Sequence, residues 1–209
     1  LSHVGFGALA IASALGLAPL AVAVPVVVLA AVLLLRLSQN SKIKGDAAIA
    51  MISSSALAIG VVVISVTTGM NTEVSSYMFG SVLSLSRGDA VLSVILSIAV
   101  LLAFTLLYPR IFAVTFDETF SRATGVRTDA YNTLIAVLTA VTVVLGMRMM
   151  GALLISSLII FPALSAMRVC KSFRAVVLCS AAISVVCFIL GVLASYFWET
   201  PTGASVVIA

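Results

Sequence analysis

The sequence reads as an all-α protein, a polytopic bundle of membrane-spanning helices with about eight spans. Three observations lead there. Apolar residues fill 63% of the 209 positions and charged residues only 9%, against roughly 25% charged in soluble domains. The few charges sit between long uncharged runs. Those runs have the length of a helix crossing a hydrocarbon core, about 20 residues. So little polar surface could not cover a water-soluble globule, and disorder needs the opposite composition, low hydrophobicity with high charge.

The first uncharged run, 4–35, is too long for one span. Pro19 and Pro25 are expected to split it, because proline lacks a backbone donor and disfavours helix before itself. This gives spans over 1–17 and 20–35, followed by 47–69, 90–108, 131–147, 149–167, 175–198 and a partial span over 201–209. Together they form a single transmembrane domain. The chain opens at Leu1 and stops inside the apolar run 204–209, so both ends read as cut and the first and last spans as truncated. No basic segment with a small-residue cleavage site precedes the first run, so it reads as a span and not a signal peptide. The run 91–107 does not alternate as a barrel strand would. Helices satisfy all their backbone groups internally, which lipid demands.

If spans alternate, Arg36, Lys42, Lys44, Arg110, Arg122, Arg127, Arg168, Lys171 and Arg174 share one side, nine of the eleven basic residues. Arg87 and Arg148 lie on the other. The positive-inside rule makes the first side cytoplasmic, and Arg148 then marks a tight outer turn. The basic residues form no single stripe, so the net charge of +4 reports orientation and not nucleic-acid binding.

Two loops are longer than a connection requires. The outer one, 70–89, carries Tyr77-Met78-Phe79-Gly80 and the apolar stretch 82–85, suited to the membrane interface. The inner one, 110–130, has Thr115 three residues before Glu118, which fits a capping box, and Gly125, which fits a helix C-terminus. A short helix is expected over 116–124, with Phe116, Phe120 and Ala123 on one side and Asp117, Glu118, Ser121 and Arg122 on the other. Such a helix suits either the inner leaflet surface or a groove on a soluble partner.

The chemistry available is sparse. No carboxylate lies deep inside a complete span, which argues against embedded catalysis and against proton relay. There is no GxxxxGK[ST] phosphate loop, so a pump built on this chain takes its energy from another subunit. His3 is the one imidazole; it suits a zinc-like metal or a helix end among headgroups. Cys170, Cys179 and Cys187 fall on or beside one apolar segment and read as packing residues, as do the seven methionines. In 151–163, small residues and an intramembrane proline suggest a helix that could line a pathway, with Gly151, Ser156, Ser157 and Pro162 as candidates.

The run GALLISSLIIFPA at 151–163 closely resembles the signature helix of the permease subunits of bacterial zinc and manganese ABC importers, the ABC-3 family. Leu1-Ser2-His3 with Gly5 and Gly7, Tyr77-Met78-Phe79-Gly80, Asp117 to Gly125, and the segment from Thr200 to Ser205 follow the family's order. The resemblance implies a non-enzymatic permease of the bacterial cell membrane that forms a homodimer, binds two cytoplasmic ATPase subunits and receives metal from an extracytoplasmic binding protein. It implies no permanently bound cofactor, the cargo being Zn(II) or Mn(II) and sometimes iron, with zinc favoured by bare affinity. The short helix with Phe116, Asp117, Glu118, Phe120, Arg122 and Gly125 would be the coupling helix inserted into the ATPase. His3 resembles the histidine of the family's Asp-x-x-x-His pair, whose aspartate would lie before Leu1. Ser81 departs from the family, where many relatives carry Asp. An ATP-independent carrier or channel and a non-transporting scaffold are the competing readings.

Overall fold

A computed structural model describes the backbone of residues 1–40, 45–67 and 87–209. Its elements are α1 (Ser2–Ala14), α2 (Pro19–Asn40), α3 (Gly45–Thr67), α4 (Arg87–Phe116), α5 (Glu118–Ala123), α6 (Thr128–Met150), α7 (Ala152–Val169), α8 (Phe173–Trp198) and α9 (Thr202–Ile208). Among the described residues there is no strand. Six helices, α2, α3, α4, α6, α7 and α8, are long and apolar enough to cross a membrane, while α1 and α9 are shorter. The outer-loop motif at 77–80, Ser81, Lys42 and Lys44 lie outside the described residues.

The break in the first uncharged run falls where only one of the two prolines would put it. Pro19 opens α2, a position where its missing N–H is unneeded and its fixed φ suits the helix. Pro25 lies inside α2, and the helix runs through it. Pro109 and Pro162 are likewise inside α4 and α7. Lipid supplies no competing hydrogen-bond partners, so a spanning helix survives the loss of one internal bond.

The chain divides into two compact units. The first takes in Leu1 and the described residues of 3–67 and 87–145; the second takes in Ser2 and Gly146–Ala209. In the first, Phe6, Leu9, Leu20, Val27, Ile64 and Val144 are fully buried. There α2 packs on α3, and α1 meets α3 through small residues. A Cβ added to Gly7 would lie 2.6 Å from the Ala56 carbonyl oxygen, and one added to Gly60 would lie 2.9 Å from the Gly7 Cα. Small residues allow this approach of backbones where lipid gives no hydrophobic drive for association.

In the second unit α7, α8 and α9 pack mutually around Leu154, Ile155, Ala166 and Val206. Gly191 faces the Val206 backbone with no room for a side chain. Many large apolar side chains point outward, Leu106 of α4 and Leu178 of α8 among them. That pattern fits a lipid solvent and would be costly in water.

The joint between α6 and α7 is tighter than expected. Helix α6 continues past Arg148 to Met150, and Gly151 alone separates it from α7. Its φ of 87° and ψ of 158° lie in a region essentially reserved for glycine.

Candidate coupling loop and permeation helix

The inner loop builds a short helix, with boundaries that correct the expected ones. Helix α4 runs on through Thr115 and Phe116, and the Thr115 hydroxyl donates back to the Ile111 carbonyl at 2.7 Å. Thr115 is therefore not a cap. Asp117 is: its backbone leaves the helix at φ −145° and its carboxylate accepts from the Phe120 N–H at 2.8 Å. Aspartate is among the best N-cap residues, so this was readable from its position before Glu118. At the other end Val126 N donates to Ser121 O at 3.0 Å and Gly125 N to Arg122 O at 3.1 Å. That is a Schellman closure with Gly125 in the left-handed region at φ 85°.

Arg122 ties α5 to the start of α6. Its Nη2 lies 3.1 Å from Glu118 Oε1, 3.0 Å from Asp129 Oδ1 and 3.1 Å from Thr128 Oγ1, and Nε donates to the same Thr128 hydroxyl at 3.2 Å. Thr128 is buried, as is Ser121. Ser121 is the one residue of α5 turned into the protein, Arg122 reaches α6 from an exposed position, and the side expected to be apolar faces out. Phe116 and Phe120 are 66% and 65% exposed, Phe116 being packed against Phe112 with ring centroids 4.7 Å apart. The result is a helix capped at both ends and tied to α6, beside two outward aromatic rings. Asp129 and Thr128 as its anchors were not singled out by the pattern of the loop; only their folding onto α5 reveals them.

On α7 the candidate residues separate. The Ser156 hydroxyl donates to the Ala152 carbonyl at 2.6 Å and sits 2.9 Å from the Ser2 hydroxyl oxygen, both within the second unit. The Ser157 hydroxyl donates to the Leu153 carbonyl at 2.9 Å. Ser157 and the buried Pro162 line a cavity of about 250 Å³ shared with Ser165, Phe161 and Cys187, whereas Gly151 and Ser156 do not. His3 is exposed on α1. Among the described residues no group of three or more His, Cys, Asp or Glu side chains is placed to hold a metal ion.

A family model for the ABC 3 transport family matches residues 1–209. The chain belongs to the ABC 3 transport family. Within it, the chain is 31% identical over 169 residues to the manganese import system permease protein ScaB of Streptococcus gordonii, covering 81% of this chain and 60% of that protein. It is 28% identical over 172 residues to the high-affinity zinc uptake system membrane protein ZnuB of Haemophilus influenzae, covering 82% of this chain and 66% of that protein. A solved chain of PsaBC from Streptococcus pneumoniae in complex with Fab superposes with a TM-score of 0.86 at 28% identity, covering 99% of this chain and 74% of that one. Family membership and six apolar helices make this a multi-pass protein of the bacterial cell membrane.

Proposed function

We propose that the chain is the membrane subunit of an ABC importer that moves a divalent transition metal into the cytoplasm, zinc in preference to manganese or iron. The observation that carries this reading is the α5 helix. It is capped by Asp117, closed by Gly125 and held to α6 by Arg122, and it turns Phe120 outward beside Phe116, the exposed last residue of α4. A capped helix flanked by exposed aromatic rings, on the side where basic residues collect, suits insertion into a groove of a cytoplasmic ATPase. Names of the relatives add support, since one is a manganese permease and one a zinc permease.

In this reading two copies of the permease pair, each bound to an ATPase subunit, and an extracytoplasmic protein delivers the metal. ATP turnover rocks the permeases between outward and inward states as rigid bodies. His3, with a carboxylate four residues earlier on the same helix face, would receive the ion. Gly151 at the entry to α7 and Ser156, Ser157 and Pro162 on it would border its route. Serine hydroxyls hold such ions weakly, which suits passage better than storage. The permease itself catalyses no reaction.

The test reconstitutes the longer protein with its ATPase and loaded binding protein in liposomes, and follows uptake of zinc against manganese. ATP-dependent uptake that collapses in His3→Ala is expected, with zinc winning. Flux without ATP would overturn the reading in favour of a carrier or channel. The double change Glu118→Arg with Arg122→Glu sets a carboxylate against Asp129, and it should abolish ATPase stimulation; intact stimulation would remove α5 from its coupling role.

A further inference from the structure

The first unit contains a second feature, bordering the coupling loop at Gly125, to which the transport reading assigns no role. Between the end of α4, the turn after α5 and the start of α6 lies a cavity of about 580 Å³. Its floor is apolar, with Leu107 and Leu134, and its rim carries Arg110, Arg127 and Tyr131. Arg110 Nη1 donates to the Tyr131 hydroxyl oxygen at 2.8 Å, which leaves the tyrosine proton able to point into the cavity.

The charge balance here is one-sided. Glu118 and Asp129, the acidic neighbours, are taken up by Arg122 at 3.1 and 3.0 Å. Among the described residues neither Arg110 nor Arg127 has a carboxylate within ion-pair distance. The N-terminal end of α6 adds a positive dipole, although its first N–H groups are already spent, Ala130 N and Tyr131 N both donating to Arg127 O. Two unneutralised guanidinium groups at a cavity rim call for an anion with several oxygens.

The anion is identified by depth. Along α4 the first charge after the long uncharged run is Arg110, and along α6 the last charge before the uncharged run is Asp129, two residues before Tyr131. The rim therefore lies at the membrane boundary on the basic, inner side, where anionic lipids gather and tyrosine rings settle. A floor of leucines below a basic rim matches a headgroup above its acyl chains. We propose that this cavity binds the headgroup phosphate of an anionic phospholipid of the inner leaflet, with Arg110 and Arg127 as its cationic pair. The proposal rests on the inward placement of this loop and not on the identity of the transported metal.

The full-length permease in detergent micelles is titrated with phosphatidylglycerol and, separately, phosphatidylcholine, and bound lipid is read by native mass spectrometry. The first phosphatidylglycerol should bind more tightly than phosphatidylcholine, and this preference should fall about fivefold for each arginine neutralised in Arg110→Gln and Arg127→Gln. Arg110→Lys with Arg127→Lys should keep most of it, showing that the variants fold. Ala130→Phe, which fills the cavity and spares both charges, should weaken it. An unchanged preference in the double glutamine variant would overturn the proposal. Displacement of the lipid by inorganic phosphate would reassign the site to a free anion, and displacement by the ATPase subunit would reassign the surface to a protein partner; either overturns it.

Discussion

Arg122 engages three side chains at once, yet it is 61% exposed and its partners Glu118 and Asp129 are 46% and 79% exposed. Exposed pairs of this kind contribute about 0.2–1 kcal/mol each, so Arg122→Gln should barely change the melting temperature. A six-residue helix cannot persist by itself, and losing its clamp should therefore show locally. Hydrogen exchange at the Phe120 to Thr124 amides is expected to speed up about tenfold. Unchanged protection would mean the caps alone suffice. A second residue-scale outcome concerns Cys170, between α7 and α8. Burial first, then its hydrogen bond and charge coupling with Cys179, push its thiol above the usual range. A raised acid pKa means less thiolate at a given pH, so alkylation of Cys170 should have its midpoint above that of a free thiol. Cys179→Ser should lower that midpoint. An unchanged midpoint would show that the two thiols are not coupled.

At the scale of elements, Gly125 and Gly7 are limited by different physics. Gly125 needs a left-handed backbone and has open space around it. Gly125→Val should cost about 1–2 kcal/mol and fray α5, with Gly125→Asn milder because Asn tolerates that conformation. Gly7 is instead limited by space. Gly7→Ala would press a methyl group onto the Ala56 carbonyl, and overpacking against backbone costs about 1–3 kcal/mol. Equal thermal stability of Gly7→Ala and the parent would show that α1 and α3 can part cheaply. The same elements mark how far sequence carries. Gly125 and the charges of the loop were legible because a left-handed C-terminus and an Asp-Glu start leave residue-type marks. The long uncharged runs gave the helices for the same reason. Thr115 misled because a hydroxyl can cap the following turn or bond back four residues, and only the continuation of α4 decides. Pro25 misled because a breaker in water is tolerated in lipid. The reach of Arg122 to Thr128 and Asp129, the outward turn of Phe120 and the basic cavity beside Tyr131 depend on how α5 folds against α6, which no spacing encodes.

At the scale of the whole molecule, orientation decides which of these features can meet which partner. If the spans alternate, the nine-to-two distribution of the eleven basic residues puts the α5 loop inside, and Arg110, Arg122 and Arg127 all cluster on that one stretch. The same alternation would put the turn at Glu199, which caps α8 in a left-handed conformation, outside. Both the coupling role of α5 and the lipid phosphate at Arg110 and Arg127 require this sidedness. In a background with the three native cysteines replaced, single cysteines at exposed positions make it measurable. Glu199→Cys should react with a membrane-impermeant maleimide in intact cells, and Arg127→Cys should react only after the membrane is opened. Arg127 carries part of the proposed lipid site, so Glu118→Cys serves as a second inner reporter away from the cavity. Labelling of both inner positions in intact cells, with Glu199→Cys silent, would invert the topology. It would then place α5 beyond reach of any cytoplasmic ATPase and the basic cavity in the outer leaflet.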